Sequence, residues 1–252
     1  MSSNVKYIFD GKKFVVTGAS SGIGKKIASD IAEAGGFALA IARNENRLEE
    51  LRKLFPDRIS IAPADVRDYD AVEHAIDHFV SEKGKVNGLV HVAGLLEMTP
   101  LQKYDEDKAR NLFDVHFWSF GKLLQYVNKK KNSEDGSSYV MISSVSAYKG
   151  EAAQFALSAS KASLQVMAKT FAKEIYKRKN RINTISPGLI MTELTERDFD
   201  ERGVSPTIID KHLLGLGKPE DVSNLTLYLL SDAARWITGQ DYVIDGGYLV
   251  SD

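Results

Sequence analysis

Short apolar runs alternate along this chain with longer stretches whose apolar positions recur every third or fourth residue. Lys12 to Thr17 and Phe37 to Ala42 are near-continuously apolar, the pattern of strands buried on both faces of a parallel sheet. Runs of the same kind cover Ile59 to Ala64, Gly88 to Val92, Ser138 to Ser143, Arg181 to Ile185 and Asp241 to Ile244. Helical periodicity falls between them, over Lys25 to Ala34, Glu45 to Phe55, Tyr69 to Ser81, Asp107 to Lys131 and Gln154 to Lys179. Within Tyr69 to Ser81, Val72, Ala75, Ile76, Phe79 and Val80 share one face. Pro219 opens a last helix to Ser231, at a position where its missing N–H costs nothing. The alternation predicts an α/β fold: a doubly wound parallel sheet of about seven strands, helices on both faces, and a ligand crevice at the strand C-terminal ends. No linker, repeat or low-complexity segment interrupts residues 1–252, which read as one domain. Residues 189–214 depart from the pattern. They mix Glu193, Glu196, Arg197, Asp198, Asp200, Glu201 and Arg202 with Gly203 and Pro206, and predict a substrate lid with short helices.

Candidate chemistry sits at the junctions. Thr17-Gly18-Ala19-Ser20-Ser21-Gly22-Ile23-Gly24 joins the first strand to the first helix. Glycines let the backbone turn and approach a pyrophosphate, while the helix N-terminus supplies N–H groups and partial positive charge. The alternative is a glycine-rich turn without a ligand, which the strand–turn–helix setting argues against. The second strand ends in Arg43, where an acidic residue accepts from the ribose hydroxyl of NAD and an arginine pairs with the 2′-phosphate of NADP. Arg43 therefore points to NADP(H), with NAD(H) the lesser choice and a solvated arginine the plain alternative. Asp65-Val66 closes the third strand, where Asp65 is placed to accept from an adenine amino group or to cap the following helix. Lys161 lies among small and apolar residues in Ser158-Ala159-Ser160-Lys161, and a buried ammonium needs a partner or a ligand. Ser144 ends an apolar strand and is placed to share a cleft with it. A lysine and a serine can polarise a carbonyl, but no Tyr, His, Asp or Glu lies between Phe155 and Gln165.

Composition narrows the classes. The net charge of −1 suggests neither nucleic acid nor an anionic membrane as partner. The absence of cysteine excludes disulfides, thiolate nucleophiles and Cys-based metal sites. Met1 to Asp10 has no apolar leader and no run approaches a membrane span, so a cytoplasmic location is expected. His74 and His78 share a helix face without a third ligand nearby, so no metal is expected.

These motifs, with Ala93-Gly94, Ile142-Ser143-Ser144, Ser186-Pro187-Gly188, Thr238-Gly239-Gln240 and Asp245-Gly246-Gly247, resemble the short-chain dehydrogenase/reductase family over essentially the full length. The likeness is greatest to its 3-oxoacyl carrier-protein reductases and sugar or polyol dehydrogenases. It implies hydride transfer between NAD(P) and a carbonyl or alcohol, and a homodimer or homotetramer built through the helices around Asp107–Lys131 and Gln154–Lys179. It also implies cofactor contacts at Gly18, Ser20, Ser21, Gly22, Ile23, Gly24, Arg43, Asp65, Val66, Ala93, Gly94, Lys161, Pro187, Gly188, Ile190 and Thr192. In the family a serine orients the substrate oxygen, a tyrosine exchanges its proton, a lysine four residues on binds the ribose, and an asparagine holds a relay water. Ser144 and Lys161 match; the tyrosine position is Leu157 and the asparagine position His116. Three explanations compete: a cofactor-binding relative without turnover, an enzyme whose acid is His116 or Tyr148, or a leucine introduced into an otherwise active protein.

Overall fold

The computed structural model describes residues 5–196 and 206–251. Among them one sheet contains β1 (Lys13–Thr17), β2 (Phe37–Ala42), β3 (Ile59–Pro63), β4 (Val86–His91), β5 (Ser133–Ile142), β6 (Arg181–Pro187) and β7 (Asp241–Ile244). All pairings are parallel, in the order β3-β2-β1-β4-β5-β6-β7. The chain winds outward from β1 to β3, returns to β4 beside β1, and winds outward again to β7. That reversal between β1 and β4 opens a crevice at the strand C-terminal ends.

The helices are α1 (Gly22–Glu33), α2 (Glu45–Leu54), α3 (Tyr69–Lys83), α4 (Glu106–Phe113), α5 (Ser119–Val127), α6 (Phe155–Ile175), α7 (Pro206–Asp210) and α8 (Pro219–Leu230). Successive strand residues feed opposite cores. Val16, Val140 and Ile142 join Ile27, Ile31, Leu48 and Leu227 of α1, α2 and α8. Val15, Tyr139 and Met141 join Ile76, Phe79, Phe120 and Leu164 of α3, α5 and α6. Each such side chain contributes about 1.5–3 kcal/mol by leaving water, which is why the strands read as continuous apolar runs.

Two expected elements differ. The helix expected over Asp107–Lys131 is broken by a π turn at Asp114–Trp118, where Ser119 N–H bonds the Asp114 carbonyl, and it stops at Val127. Its end is capped from afar: the Arg178 guanidinium donates to the Asn128 carbonyl at 2.6 Å, and Asn132 Nδ2 donates to the Tyr126 carbonyl at 3.0 Å. β5 starts earlier than its apolar run, because Ser133 pairs with Val86 before a register shift into the Gly88–Ser138 pairing. Of the expected lid, Ile190 forms an isolated bridge with Gly217, and residues 197–205, with Arg197, Asp198, Asp200, Glu201, Arg202 and Gly203, lie outside the described residues.

Candidate active site

A continuous cleft of about 1380 Å³ runs along the strand C-terminal ends, from Gly18 and Arg43 at one end to Ser144, Leu157 and Lys161 at the other. Its floor near α1 has no room for side chains. Gly18 has φ +67°, and a Cβ on Gly24 would stand 2.2 Å from the Gly18 carbonyl oxygen. Ser21 precedes α1 without a side-chain cap, and the first turn carries no acidic residue. N–H groups and helix dipole are thus left to an outside anion. Ser20, Ser21, Gly22 and Ile23 line the same stretch, and Thr192 packs over Gly22, its Cγ2 3.1 Å from where a Cβ would be. This narrow, uncapped cradle fits a dinucleotide pyrophosphate.

Arg43 is exposed beyond β2, while Asn44 caps α2 by accepting from Arg47 N–H at 3.1 Å. Asp65 does not cap the next helix; Asp68 does, accepting from Ala71 N–H at 3.1 Å. The Asp65 carboxylate is instead gripped by Arg67 Nε at 2.9 Å and Nη2 at 2.7 Å, which with nearby Arg43 holds its pKa down to about 2. Val66, Ala93, Gly94, Pro187, Gly188, Ile190 and Thr192 line the cleft with them. A Cβ on Gly188 would meet Asp245 Cα and His212 Nε2 at 2.9 Å, so this turn also requires glycine.

At the far end Lys161 is buried, and Nζ donates to the Ile142 carbonyl at 2.9 Å. Burial pulls its pKa down to about 8. Ser144 Oγ accepts from Ser146 N–H at 3.1 Å, leaving its own proton for a ligand. Leu157 lines the cleft and has no exchangeable proton.

Neither expected substitute acid is placed for proton transfer. His116 is completely buried: Nε2 accepts from Leu95 N–H at 2.9 Å, and Nδ1 pairs with Ser160 Oγ at 2.8 Å. This assigns the single ring proton to Nδ1, away from Nε2. Burial first, and then the Lys161 charge, hold the imidazole well below its ordinary range, so it is neutral. Tyr148 is turned outward and donates to Asp241 Oδ2; burial and that carboxylate push its pKa up to about 12. The π turn that aims His116 inward and the Asp241 site that draws Tyr148 away had no signature in the sequence.

Other groups meet in the cleft without having been expected. Tyr248, from the turn after β7, donates to Glu151 Oε1 at 2.6 Å and stacks on His212, while Lys149 Nζ lies 5.1 Å from its ring centroid. The Ser146 hydroxyl is buried in the wall without a hydrogen-bond partner. Tyr248 and Glu151 are far apart in sequence, so only the fold could join them.

Residues 18–249 match the family described as Enoyl-(Acyl carrier protein) reductase. The chain belongs to the short-chain dehydrogenase/reductase family. Among its relatives, D-threitol dehydrogenase of Mycolicibacterium smegmatis is 34% identical, over 99% of this chain and 97% of that protein. The 3-oxoacyl-(acyl-carrier-protein) reductase of Thermotoga maritima is 31% identical, over 96% of this chain and 99% of that one. A short-chain dehydrogenase/reductase structure from Brucella melitensis, of glucose/ribitol dehydrogenase type, superposes with TM-score 0.89 at 24% identity, covering 97% of this chain and 99% of that chain. That likeness concerns the fold. Short-chain dehydrogenases/reductases are oxidoreductases, and the glycine cradle and the Ser144–Lys161 end of this cleft lie on the elements described above. Among the described residues no helix is long and apolar enough to cross a membrane.

Proposed function

We propose that the protein is an NADP(H)-preferring oxidoreductase that moves hydride between the dinucleotide and a carbonyl or alcohol of a small polar substrate. The observation that carries this reading is the single cleft joining the uncapped cradle at Gly18–Gly24 to Ser144 and Lys161. In it the residues from Gly18 to Gly24 would hold the pyrophosphate, Arg43 the 2′-phosphate, Asp65 and Val66 the adenine, and Lys161 the nicotinamide ribose. The bound nicotinamide would supply or accept the hydride, and Ser144 would orient the substrate oxygen. Glu151, Tyr248 and Lys149 give the substrate end polar, charged walls, which favours a hydroxylated substrate over a long acyl chain. The kinship with a tetritol dehydrogenase supports the same choice. Trp118, Phe155 and Val166 stand exposed on the π turn and α6, which supports a homodimer or homotetramer through these helices.

Calorimetric titration with NADPH and with NADH tests the reading. Micromolar NADPH binding, at least tenfold tighter than NADH and brought level with it in Arg43→Ala, is expected. Failure to bind either dinucleotide overturns it. A second reading, a dinucleotide-binding relative without turnover, is favoured by Leu157 together with the committed nitrogens of His116 and the outward Tyr148. Leu157→Tyr separates the two. A rise in ketone reduction by orders of magnitude from a silent wild type supports the second, and a wild type that already turns over supports the first.

A further inference from the structure

We propose that Lys161 itself exchanges the proton with the substrate oxygen, taking over the task that a tyrosine performs elsewhere in the family. The inference rests on the oxidoreductase reading above and concerns which group completes its chemistry.

Geometry leaves little else. Leu157, one turn before Lys161 on α6, lines the cleft with a side chain that neither donates nor accepts. Lys161 Nζ spends one N–H on the Ile142 carbonyl, and an ammonium has three. Gly94 packs beside it without a side chain, Nζ lying 3.6 Å from where a Cβ would be, and Lys161 lines the cleft with Leu157 and Ser144. The groups facing it are His91 from β4 and His116 from the π turn, both kept neutral by burial and then by the Lys161 charge. His91 is held by Thr17 Oγ1 at 3.0 Å and the Val115 carbonyl at 3.2 Å, so it has no proton for the cleft. No carboxylate among the described residues shifts the lysine; burial is the cause of its lowered pKa of about 8. An ammonium with that value is charged at neutral pH yet releases its proton far more readily than an ordinary lysine, as a general acid must. Of the other titratable groups lining this end, His212 bonds the Ile208 carbonyl at 2.8 Å, Tyr248 donates to Glu151, and Lys149 Nζ lies over the Tyr248 ring, 5.1 Å from its centroid.

In the reducing direction the carbonyl oxygen gains an electron pair as hydride reaches its carbon. One Nζ–H bond breaks, an O–H bond forms, and the alcohol leaves with the proton. The neutral amine regains its proton from water. Oxidation runs the same transfer backwards, with the neutral amine as base, and Ser144 donates a hydrogen bond to the same oxygen in both directions.

Lys161→Arg is the informative variant, because a guanidinium keeps the charge and the donors but does not release a proton near neutral pH. Erythrulose and ethyl acetoacetate serve as reduction probes. Wild-type kcat/KM is expected to stay level below pH 8 and to fall about tenfold per unit above it. At saturating NADPH, Lys161→Arg is expected to lose at least about 100-fold in kcat, and the inflection near pH 8 with it. Carbon-13 lysine NMR of the cofactor-free protein, with the signal assigned by its loss in Lys161→Arg, is expected to titrate near pH 8. Retention of kcat within threefold in Lys161→Arg overturns the proposal, and so does a wild-type profile with no inflection near the titration measured by NMR. Tight NADPH binding with no turnover of either probe also overturns it while sparing the cofactor site. Absence of NADPH binding overturns the oxidoreductase reading beneath it.

Discussion

At the scale of single residues, the site depends on what surrounds Lys161. Its ammonium is desolvated by burial, and the folded protein bears the cost. Because the folded-state pKa of about 8 lies below the ordinary 10.5, the penalty is complete below pH 8 and fades as pH rises toward 10.5. Lys161→Met is therefore expected to stabilise the cofactor-free protein by up to about 3 kcal/mol at pH 7. The gain should vanish by about pH 10.5, as read from urea midpoints across that range. A midpoint unchanged at pH 7 would mean that the ammonium is solvated in solution. Lys161 and Ser144 were legible in the sequence as a charge in apolar company and a serine at a strand end. The same reading could not settle His116 or Tyr148, because each is a suitable donor by type. What disqualifies them is the Ser160 and Leu95 pairing of one and the Asp241 bond of the other.

At the scale of elements, strand ends and helix starts divide the labour. The residues just beyond β1, β2, β3 and β4 line one end of the cleft and those beyond β5 the other, while those beyond β6 reach back to the first, where Thr192 packs over Gly22. The caps show why one local pattern can carry two readings. Asp65 and Asp68 both precede α3, and either suits a helix start by composition. Asp68 takes the cap because Arg67 folds back on Asp65 while reaching Asn111 of α4 at 2.6 Å. Asp68→Ala should then cost about 1 kcal/mol of stability and leave NADPH affinity unchanged, by urea melts and calorimetry on the same preparations. A loss of affinity would mean that the Asp65 end of the cleft moves with α3. The break in the helix expected over Asp107–Lys131 belongs to this scale too. Its apolar periodicity runs on smoothly through Asp114–Trp118, and the π turn comes from fitting His116 beneath Leu95 and against Ser160.

At the scale of the whole molecule, two buried imidazoles tie the halves of the sheet to the cleft. His91 links β1 to the π turn, and His116 links that turn to α6. Both are neutral when folded, His91 with a pKa lowered to about 3, so the unfolded chain binds protons that the folded protein refuses as pH drops below 6.5. Stability should fall with acid by about 1.4 kcal/mol per pH unit for each histidine, beyond the contribution of the carboxylates. His116→Asn is expected to remove one such share between pH 6 and 4, and parallel slopes in variant and wild type would refute the point. The amino-acid sequence by itself determined the layered α/β architecture, the strand order's consequence of a crevice, and the cradle at Gly18–Gly24, because apolar periodicity and glycine-rich turns are local properties of the chain. Only the tertiary structure decided which side chains face one another across that crevice. The Glu151–Tyr248 pair, the sequestered His116, the outward Tyr148 and the bond of Lys161 to the Ile142 carbonyl depend on burial and on hydrogen bonds between distant segments. A chain records those in no local pattern.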